Sequence, residues 1–360
     1  MNGLDHIALL SQDFEQLVRR REDCWKALDG ASLLITGGSG FFGTWLAHSF
    51  YAAMQASSYR FDVHIACREP GRFLDNYPYF QKQRNFHFHA IDVLKPLTLQ
   101  QKFDHIIHAA TSASAKLNAE QPLTMIDTIV QGTRNVLDFA AAQGIRSVSF
   151  TSSGAVYGSI PYGQLISESA QSGPDLQNPR SAYGEAKRLA ELMCAIYAAK
   201  HGMSIPILRC FAFVGPFMSF DSHFAMGNFI QDAIQGRAPF IKGDHRTVRS
   251  YLYGADLVDA ILLTLCRSRS PGLVDVINVG SDLPLTIADL AEAIRDCFQV
   301  KDPVGYAENR VLNQTVDWYV PSVDKLKQSY EFQESQSMIS SIQKTGDWLK
   351  SVRRFQGVKI

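Results

Sequence analysis

From residue 31 onward the chain repeats one pattern. A short run of apolar, β-prone residues ends in a turn, and a stretch with apolar residues at helical spacing follows. The strand-like runs are Ser32–Thr36, Val63–Cys67, Phe86–Ala90, His105–Ala109 and Ser147–Thr151. Thr44–Ala56 and Pro122–Gln143 read as helices between them. Short strands alternating with helices predict βαβ units, whose right-handed crossovers build a parallel sheet covered on both faces. The fold class is therefore α/β, with a doubly wound parallel sheet. Past residue 206 the repeat loosens, and proline, glycine and aromatic residues cluster around Phe211–Phe220 and Arg237–Tyr253. One more strand, Asp275–Val279, precedes a helix, Ile287–Phe298, with Thr286 as its N-cap. The expected organisation is an N-terminal helical extension at 1–30, a sheet-forming domain at 31–205 and a smaller lobe at 206–360, some segments of which return to the sheet. In the extension, Phe14, Leu17, Val18, Trp25 and Leu28 fall near helical spacing, which suits a helix docked on the core or on another subunit. Asp13, Glu15, Glu22, Asp23 and Asp29 argue against a membrane-surface role for it.

Composition narrows the field. With 360 residues, 46% of them hydrophobic and 19% charged, the chain can bury a large core and is neither disordered nor collagen-like. Its 35 basic and 35 acidic residues cancel, so no basic excess points to nucleic acid. Cys24, Cys67, Cys194, Cys210, Cys266 and Cys297 are scattered and never form C-x-x-C, which suits free buried thiols rather than zinc or a redox pair. No apolar run is long enough to span a bilayer, and the first residues lack the order of a signal peptide. A soluble, cytoplasmic protein is expected, with no membrane partner.

Candidate chemistry begins at the first turn. Gly37-Gly38-Ser39-Gly40-Phe41-Phe42-Gly43 lies between a strand and a helix, with the spacing Gly37-x-x-Gly40-x-x-Gly43. Glycines there permit a tight turn, close approach to a pyrophosphate and close packing of helix on strand. The N–H groups of the helix start, at Phe41 and Phe42, then face the phosphates. This predicts dinucleotide binding by the 31–205 domain. The end of the second strand selects the cofactor, because an acidic residue there bonds the ribose 2′-OH of NAD. The chain offers Cys67, Arg68 and Glu69, and Arg68 suits a 2′-phosphate, so NADP is favoured over NAD. Asp92 and Val93, after the third strand, are expected beside the adenine. Ala109 and Ala110, after the fourth, complete the cofactor set.

Tyr183 and Lys187 stand four apart, on one face of a helix, and Ser153 ends the fifth strand. A tyrosine with an ordinary pKa of about 10 is a poor base at neutral pH. A neighbouring ammonium and an oxidised nicotinamide would stabilise its anion. A drop of about three pH units corresponds to roughly 4 kcal/mol. The serine hydroxyl would hold the substrate oxygen in line for proton transfer.

In this order and spacing the glycine turn, Ser153, Tyr183 and Lys187 resemble the extended short-chain dehydrogenase/reductases, and within them the nucleotide-sugar epimerase/dehydratase family. Ile107–Ala110, Gly132–Leu137, Thr151–Gly158 and Arg249–Tyr253 carry the same likeness, which spans about residues 31–330. The resemblance implies a Rossmann domain, an NDP-sugar held by the C-terminal lobe, and a homodimer paired through the tyrosine helix. It assigns Tyr183 as acid/base, Lys187 as its electrostatic partner and cofactor-ribose ligand, and Ser153 as substrate ligand, with Tyr183 and Lys187 both in the cofactor set. It also places Asn228, Arg249 and Arg310 at the sugar nucleotide, Arg249 on the diphosphate. The chain departs from the family in telling ways. The family's 4,6-dehydratases carry an Asp-Glu pair, or at least a Glu, after the serine or threonine, and its decarboxylases a Glu. Here those positions are Gly154 and Ala155. Neither can act as acid or base. What remains is hydride transfer at C4, as a 4-epimerase or 4-ketoreductase. The alternatives are a dehydratase or decarboxylase that recruits Glu168 or Glu185, and a non-catalytic NADP-binding sensor. Ile129 and Ala212 replace two family asparagines, which implies an altered sugar or nucleotide pocket. His87 and His89 share a strand face, but no third ligand stands nearby, so no metal is expected.

Overall fold

A computed structural model describes residues 5–111, 115–218, 220, 224–267, 271–308 and 315–355. The chain opens with three short helices, α1 (Asp5–Ala8), α2 (Ser11–Arg20) and α3 (Glu22–Ala27). The alternating region follows as β1 (Ser32–Thr36), α4 (Phe41–Ala56), β2 (Asp62–Cys67), α5 (Pro70–Asn76), β3 (Phe86–Ala90), β4 (His105–His108), α6 (Ala115–Glu120), α7 (Pro122–Gln143), β5 (Ser147–Ser153) and α8 (Ala182–His201). Then come β6 (Ile205–Cys210), β7 (Ala212–Val214), α9 (Ala225–Ile234), β8 (Phe240–Ile241), β9 (Val248–Arg249), β10 (Tyr251–Tyr253) and α10 (Gly254–Arg267). The last elements are β11 (Val274–Val279), β12 (Leu285–Thr286), α11 (Ile287–Cys297), β13 (Gly305–Tyr306), β14 (Trp318–Tyr319), α12 (Asp324–Tyr330) and α13 (Met338–Phe355).

Seven strands form one sheet in the order β11-β6-β5-β4-β1-β2-β3, every pair parallel. Strand periodicity sends alternate residues to opposite faces, and β1 shows the consequence. Leu33 and Ile35 join the core under α2, α3, α4 and α10, whereas Leu34 joins the core under α7 and α8. The order reverses between β1 and β4, and ligands of such sheets bind beyond the strand ends at that point. Both β6 and β11 belong to this sheet, so the sheet continues past residue 205. The remaining strands are two or three residues long and make small sheets in the C-terminal lobe. A third apolar cluster, with Tyr157, Phe211, Val248 and Trp318, joins that lobe to the end of β5.

Several boundaries differ from the sequence reading. Helix α4 begins three residues before Thr44, directly at the glycine turn, because the first helical turn uses Phe41 and Phe42. Strand β5 runs on to Ser153. Thr286 does cap α11, its hydroxyl accepting from the Asp289 N–H at 3.0 Å. The extension is not one amphipathic helix. The chain breaks at Arg21, and two charged residues, Arg21 and Asp13, turn inward. Arg21 is buried and donates Nε to Asp259 Oδ1 at 2.5 Å and Nη2 to Oδ2 at 3.0 Å. Arg20 reaches Asp256 and Asp259 at 3.2 and 3.1 Å. Asp13, also buried, accepts from Tyr253 Oη at 2.8 Å and pairs with Lys344. The extension thus docks on α4 and α10 with Phe14, Leu17 and Trp25 in the main core.

A buried pair is costly to break on one side, because the remaining charge stays out of water. Arg21→Met should therefore lower the unfolding free energy by about 3 kcal/mol, measured by urea denaturation. Arg21→Met combined with Asp259→Leu should recover most of that loss. A double variant as unstable as the single one would show that the pair is not the anchor.

Candidate active site

The cofactor crevice is shaped by missing side chains. Gly37 has φ +71°, and a Cβ there would lie 2.4 Å from the Ala109 carbonyl oxygen. At Gly43 a Cβ would meet the Gly38 backbone at 2.3 Å, so the start of α4 rests directly on the turn. Gly40, the N-cap of α4, offers no side chain to the free N–H groups of the first turn. Those groups and the positive end of a 16-residue helix fit a pyrophosphate. Phe41 and Phe42 pack on Phe213, with ring centroids 6.4 and 5.2 Å away, which fixes the angle of the helix start.

At the end of β2, Cys67 is buried beside the Ser39 hydroxyl, and burial pushes its thiol up. Arg68 and Glu69 are both exposed. Asp92 Oδ1 accepts from the Leu94 N–H at 3.1 Å in a local turn, and Val93 packs beneath, its carbonyl taking Asn135 Nδ2 at 2.7 Å. The Ala109 N–H donates to the Thr36 carbonyl at 3.2 Å, and Ala110 packs against the α7–α8 core. His108 is buried with Nδ1 2.7 Å from Thr36 Oγ1; burial first, then Lys187, pushes its pKa down to about 3, so it is neutral.

The three catalytic candidates come together at the end of β5. Ser153 closes the strand, and its Oγ accepts the Ala155 N–H at 3.2 Å. Tyr183 lies in the first turn of α8, with its backbone N–H bonded to Asn118 Oδ1 at 3.1 Å. One turn on, Lys187 is 1% exposed. Its ammonium donates to the Thr151 carbonyl at 2.7 Å and to Thr111 Oγ1 at 3.1 Å, and stands 4.8 Å from the Phe150 ring centre. Burial pushes the Lys187 pKa down to about 8 and the Tyr183 phenol up to about 12, the latter opposed by the Ser153 hydroxyl within its reach. With no cofactor charge beside it, Tyr183 is a neutral phenol. An ammonium with three donors and two protein acceptors has one N–H to turn toward a cofactor hydroxyl.

The expected substrate residues fall on different elements. Arg249, on β9, is held by Asp317 at 2.5 Å and lies 5.6 Å from the ring centre of Tyr319, which adjoins Ser153. Asn228 is exposed on α9, its backbone N–H donating to the Phe224 carbonyl at 3.2 Å. Arg310 lies outside the described residues. The two carboxylates that could replace the missing one are engaged elsewhere. Glu185 pairs with Arg188 at 3.6 Å on the outer side of α8, and Glu168 accepts the Asn278 N–H at 2.8 Å. A third, Glu191, is buried and committed to Ser152 at 2.6 Å and Arg209 at 2.7 Å. His87 and His89 are on the edge strand β3, stacked around His64, and no metal-holding cluster of His, Cys, Asp or Glu occurs among the described residues. Nor is any helix among them long and apolar enough to cross a membrane.

The sequence did not single out Tyr319 or Thr111. A two-residue strand carries no periodic signal, and Thr111 acts only through its contact with Lys187. The one available sign was Gly154 itself, since a glycine beside a catalytic residue marks the close approach of another group.

A parallel sheet with a glycine turn at its switch point and a Ser-Tyr-Lys set beside it defines a dinucleotide-dependent enzyme of the short-chain dehydrogenase type. Comparison with known proteins is more specific. The sequence profile of the NAD dependent epimerase/dehydratase family matches residues 33–280, and this chain belongs to that family. UDP-glucuronic acid decarboxylase 5 of Arabidopsis thaliana is 31% identical over 280 residues, 77% of each chain. The UDP-N-acetyl-alpha-D-glucosaminuronate decarboxylase of Bacillus cytotoxicus is 26% identical over 344 residues, 89% of this chain and 98% of that one. Among solved structures, UDP-glucose 4-epimerase from Thermotoga maritima superposes with a TM-score of 0.77 at 20% identity, over 89% of this chain and 99% of that one. The dTDP-glucose 4,6-dehydratase of Bacillus anthracis, solved with NAD, gives 0.76 at 20% identity, over 92% of this chain and 100% of that one. The likeness of the structures shows the fold. The family identifies the chain as an enzyme of the NAD-dependent nucleotide-sugar class.

Proposed function

We propose that this enzyme transfers hydride at C4 of an NDP-sugar, as a 4-epimerase or a 4-ketoreductase. The observation that carries this reading is the pair Gly154-Ala155 after Ser153, with no carboxylate delivered in its place by Glu168, Glu185 or Glu191. Elimination across C5–C6 needs such a group, and oxidation or reduction at C4 does not. When bound, the nicotinamide supplies or accepts the hydride. Tyr183 takes the proton from the C4 hydroxyl or returns it to the C4 ketone. Lys187 lowers the cost of the tyrosinate, and Ser153 holds the same oxygen. Arg249 is the diphosphate ligand, held in orientation by Asp317.

A second reading is decarboxylation, favoured by the names of the two sequence relatives given above. It meets the same objection at Ala155. For the cofactor, the exposed Arg68 and the lack of a carboxylate at Cys67 support NADP over the NAD of the family's description. A homodimer through α8 is supported by Leu189, Leu192 and Ile196, an exposed apolar stripe at helical spacing 45%, 57% and 53% open to solvent. Leu192→Glu should shift the mass measured by analytical ultracentrifugation from dimer to monomer. A wild-type monomer would remove that part of the proposal.

For the chemistry, Tyr183→Phe should lower turnover by about two to four orders of magnitude. Titration calorimetry should show the variant and the wild type binding NADP equally, and both binding it more tightly than NAD. Near-normal turnover in the variant would remove Tyr183 as acid/base, and tighter binding of NAD would reverse the cofactor assignment.

A further inference from the structure

The residue after Ser153 is a glycine for a steric reason. Gly154 does not have positive φ, so backbone freedom is not what it supplies. A Cβ at this position would lie 2.7 Å from Tyr319 Oη and 2.7 Å from Phe211 Cζ. The phenol of Tyr319 therefore occupies the volume that any side chain at 154 would claim. Where the dehydratases of the family place an acid, this chain places a hydroxyl from another lobe.

Tyr319 is held in that position from several sides. Its ring packs on Phe211 with centroids 4.6 Å apart, and the Arg249 guanidinium lies 5.6 Å from its ring centre. Its backbone is in β14, paired in parallel with β9, where Tyr319 is opposite Arg249. The Ser153 hydroxyl is within reach of both the Tyr319 and the Tyr183 phenols. Burial keeps Tyr319 protonated at neutral pH, which makes it a donor and not a second base.

The arrangement has a consequence for the serine proton. A serine oxygen can accept two hydrogen bonds and donate one. Ser153 Oγ already accepts the Ala155 N–H at 3.2 Å. A bond from the Tyr319 phenol, whose oxygen stands over Gly154, would fill its other acceptor site and leave its own proton to be given away. We propose that Tyr319 is a positioning residue of the active site, its phenol donating to Ser153 Oγ so that the serine proton points at the substrate oxygen. Gly154 is the opening through which that phenol enters. This inference rests on the assignment of Ser153 as the substrate-oxygen donor.

The test is a double-mutant cycle of Ser153→Ala and Tyr319→Phe, read as kcat and KM separately. The substrate is whichever of UDP-glucose, UDP-glucuronic acid, UDP-N-acetylglucosamine or dTDP-glucose the wild type turns over fastest. Tyr319→Phe alone should lower kcat about 10- to 100-fold, the loss of one well-placed bond, with KM changed by no more than about twofold. In the Ser153→Ala background the same substitution should cost less than about twofold, because the bond it breaks is already gone. Multiplying losses, or a loss in KM, would overturn the proposal and make Tyr319 a direct sugar ligand or a packing residue. A Ser153→Ala enzyme with normal kcat would overturn the serine assignment itself, and the inference with it. Gly154→Ala supplies a second check that leaves both hydroxyls in place. It should reproduce the kcat loss of Tyr319→Phe, and normal kcat in it would contradict the steric account.

Discussion

A buried ammonium organises this active site. Removing a charge from water costs several kcal/mol unless hydrogen bonds replace the lost hydration. Lys187 meets that demand with the Thr151 carbonyl at the end of β5 and the Thr111 hydroxyl just beyond β4. Both acceptors belong to the sheet's C-terminal edge, so the lysine ties α8 to the edge in one register. Tyr183, one turn earlier, is carried to Ser153 by the same contact. The helix cannot slide without stranding its cation. The position of the proposed base is thus set by an electrostatic requirement, on a scaffold that apolar packing alone would place less exactingly.

The same economy of space shapes the cofactor crevice and the substrate end. At Gly37 and Gly43 the backbone comes so close to its neighbours that a single carbon would not fit. At Gly154 the excluded carbon makes room for a side chain from 165 residues further along the chain. Zero net charge is compatible with the strongly anionic ligands proposed here. In the proposed reading cations act locally, the helix start and Arg68 on the cofactor and Arg249 on the sugar nucleotide. Arg249 is already paired with Asp317, which keeps it oriented.

The sequence made the alternating half legible because each strand and helix there carries its own periodicity. The glycine turn, Ser153, Tyr183 and Lys187 were readable because their spacing reflects one strand end and one helical turn. The inward turn of Arg21 and Asp13 was not legible. Their partners, Asp259 and Tyr253, are more than two hundred residues away, and no local pattern records such a pairing. The two-residue strands β8, β9, β12, β13 and β14 are too short to show alternation, and Tyr319 was hidden with them. Gly154 was visible as a missing carboxylate, but only the fold shows what fills its place.

Hydrogen from solvent distinguishes the proposed chemistry from its rivals most directly. Hydride transfer at C4 moves hydrogen between carbon and the nicotinamide, whereas decarboxylation or elimination must put a solvent proton on carbon. The enzyme should be supplied with UDP-glucose, with UDP-glucuronic acid, and with 4-keto NDP-sugars plus stoichiometric NADPH in deuterium oxide, and the products examined by proton NMR. We expect products altered at C4 alone, with no deuterium on any ring carbon. Loss of carbon dioxide, or deuterium fixed at C5 or C6 during turnover, would contradict the account.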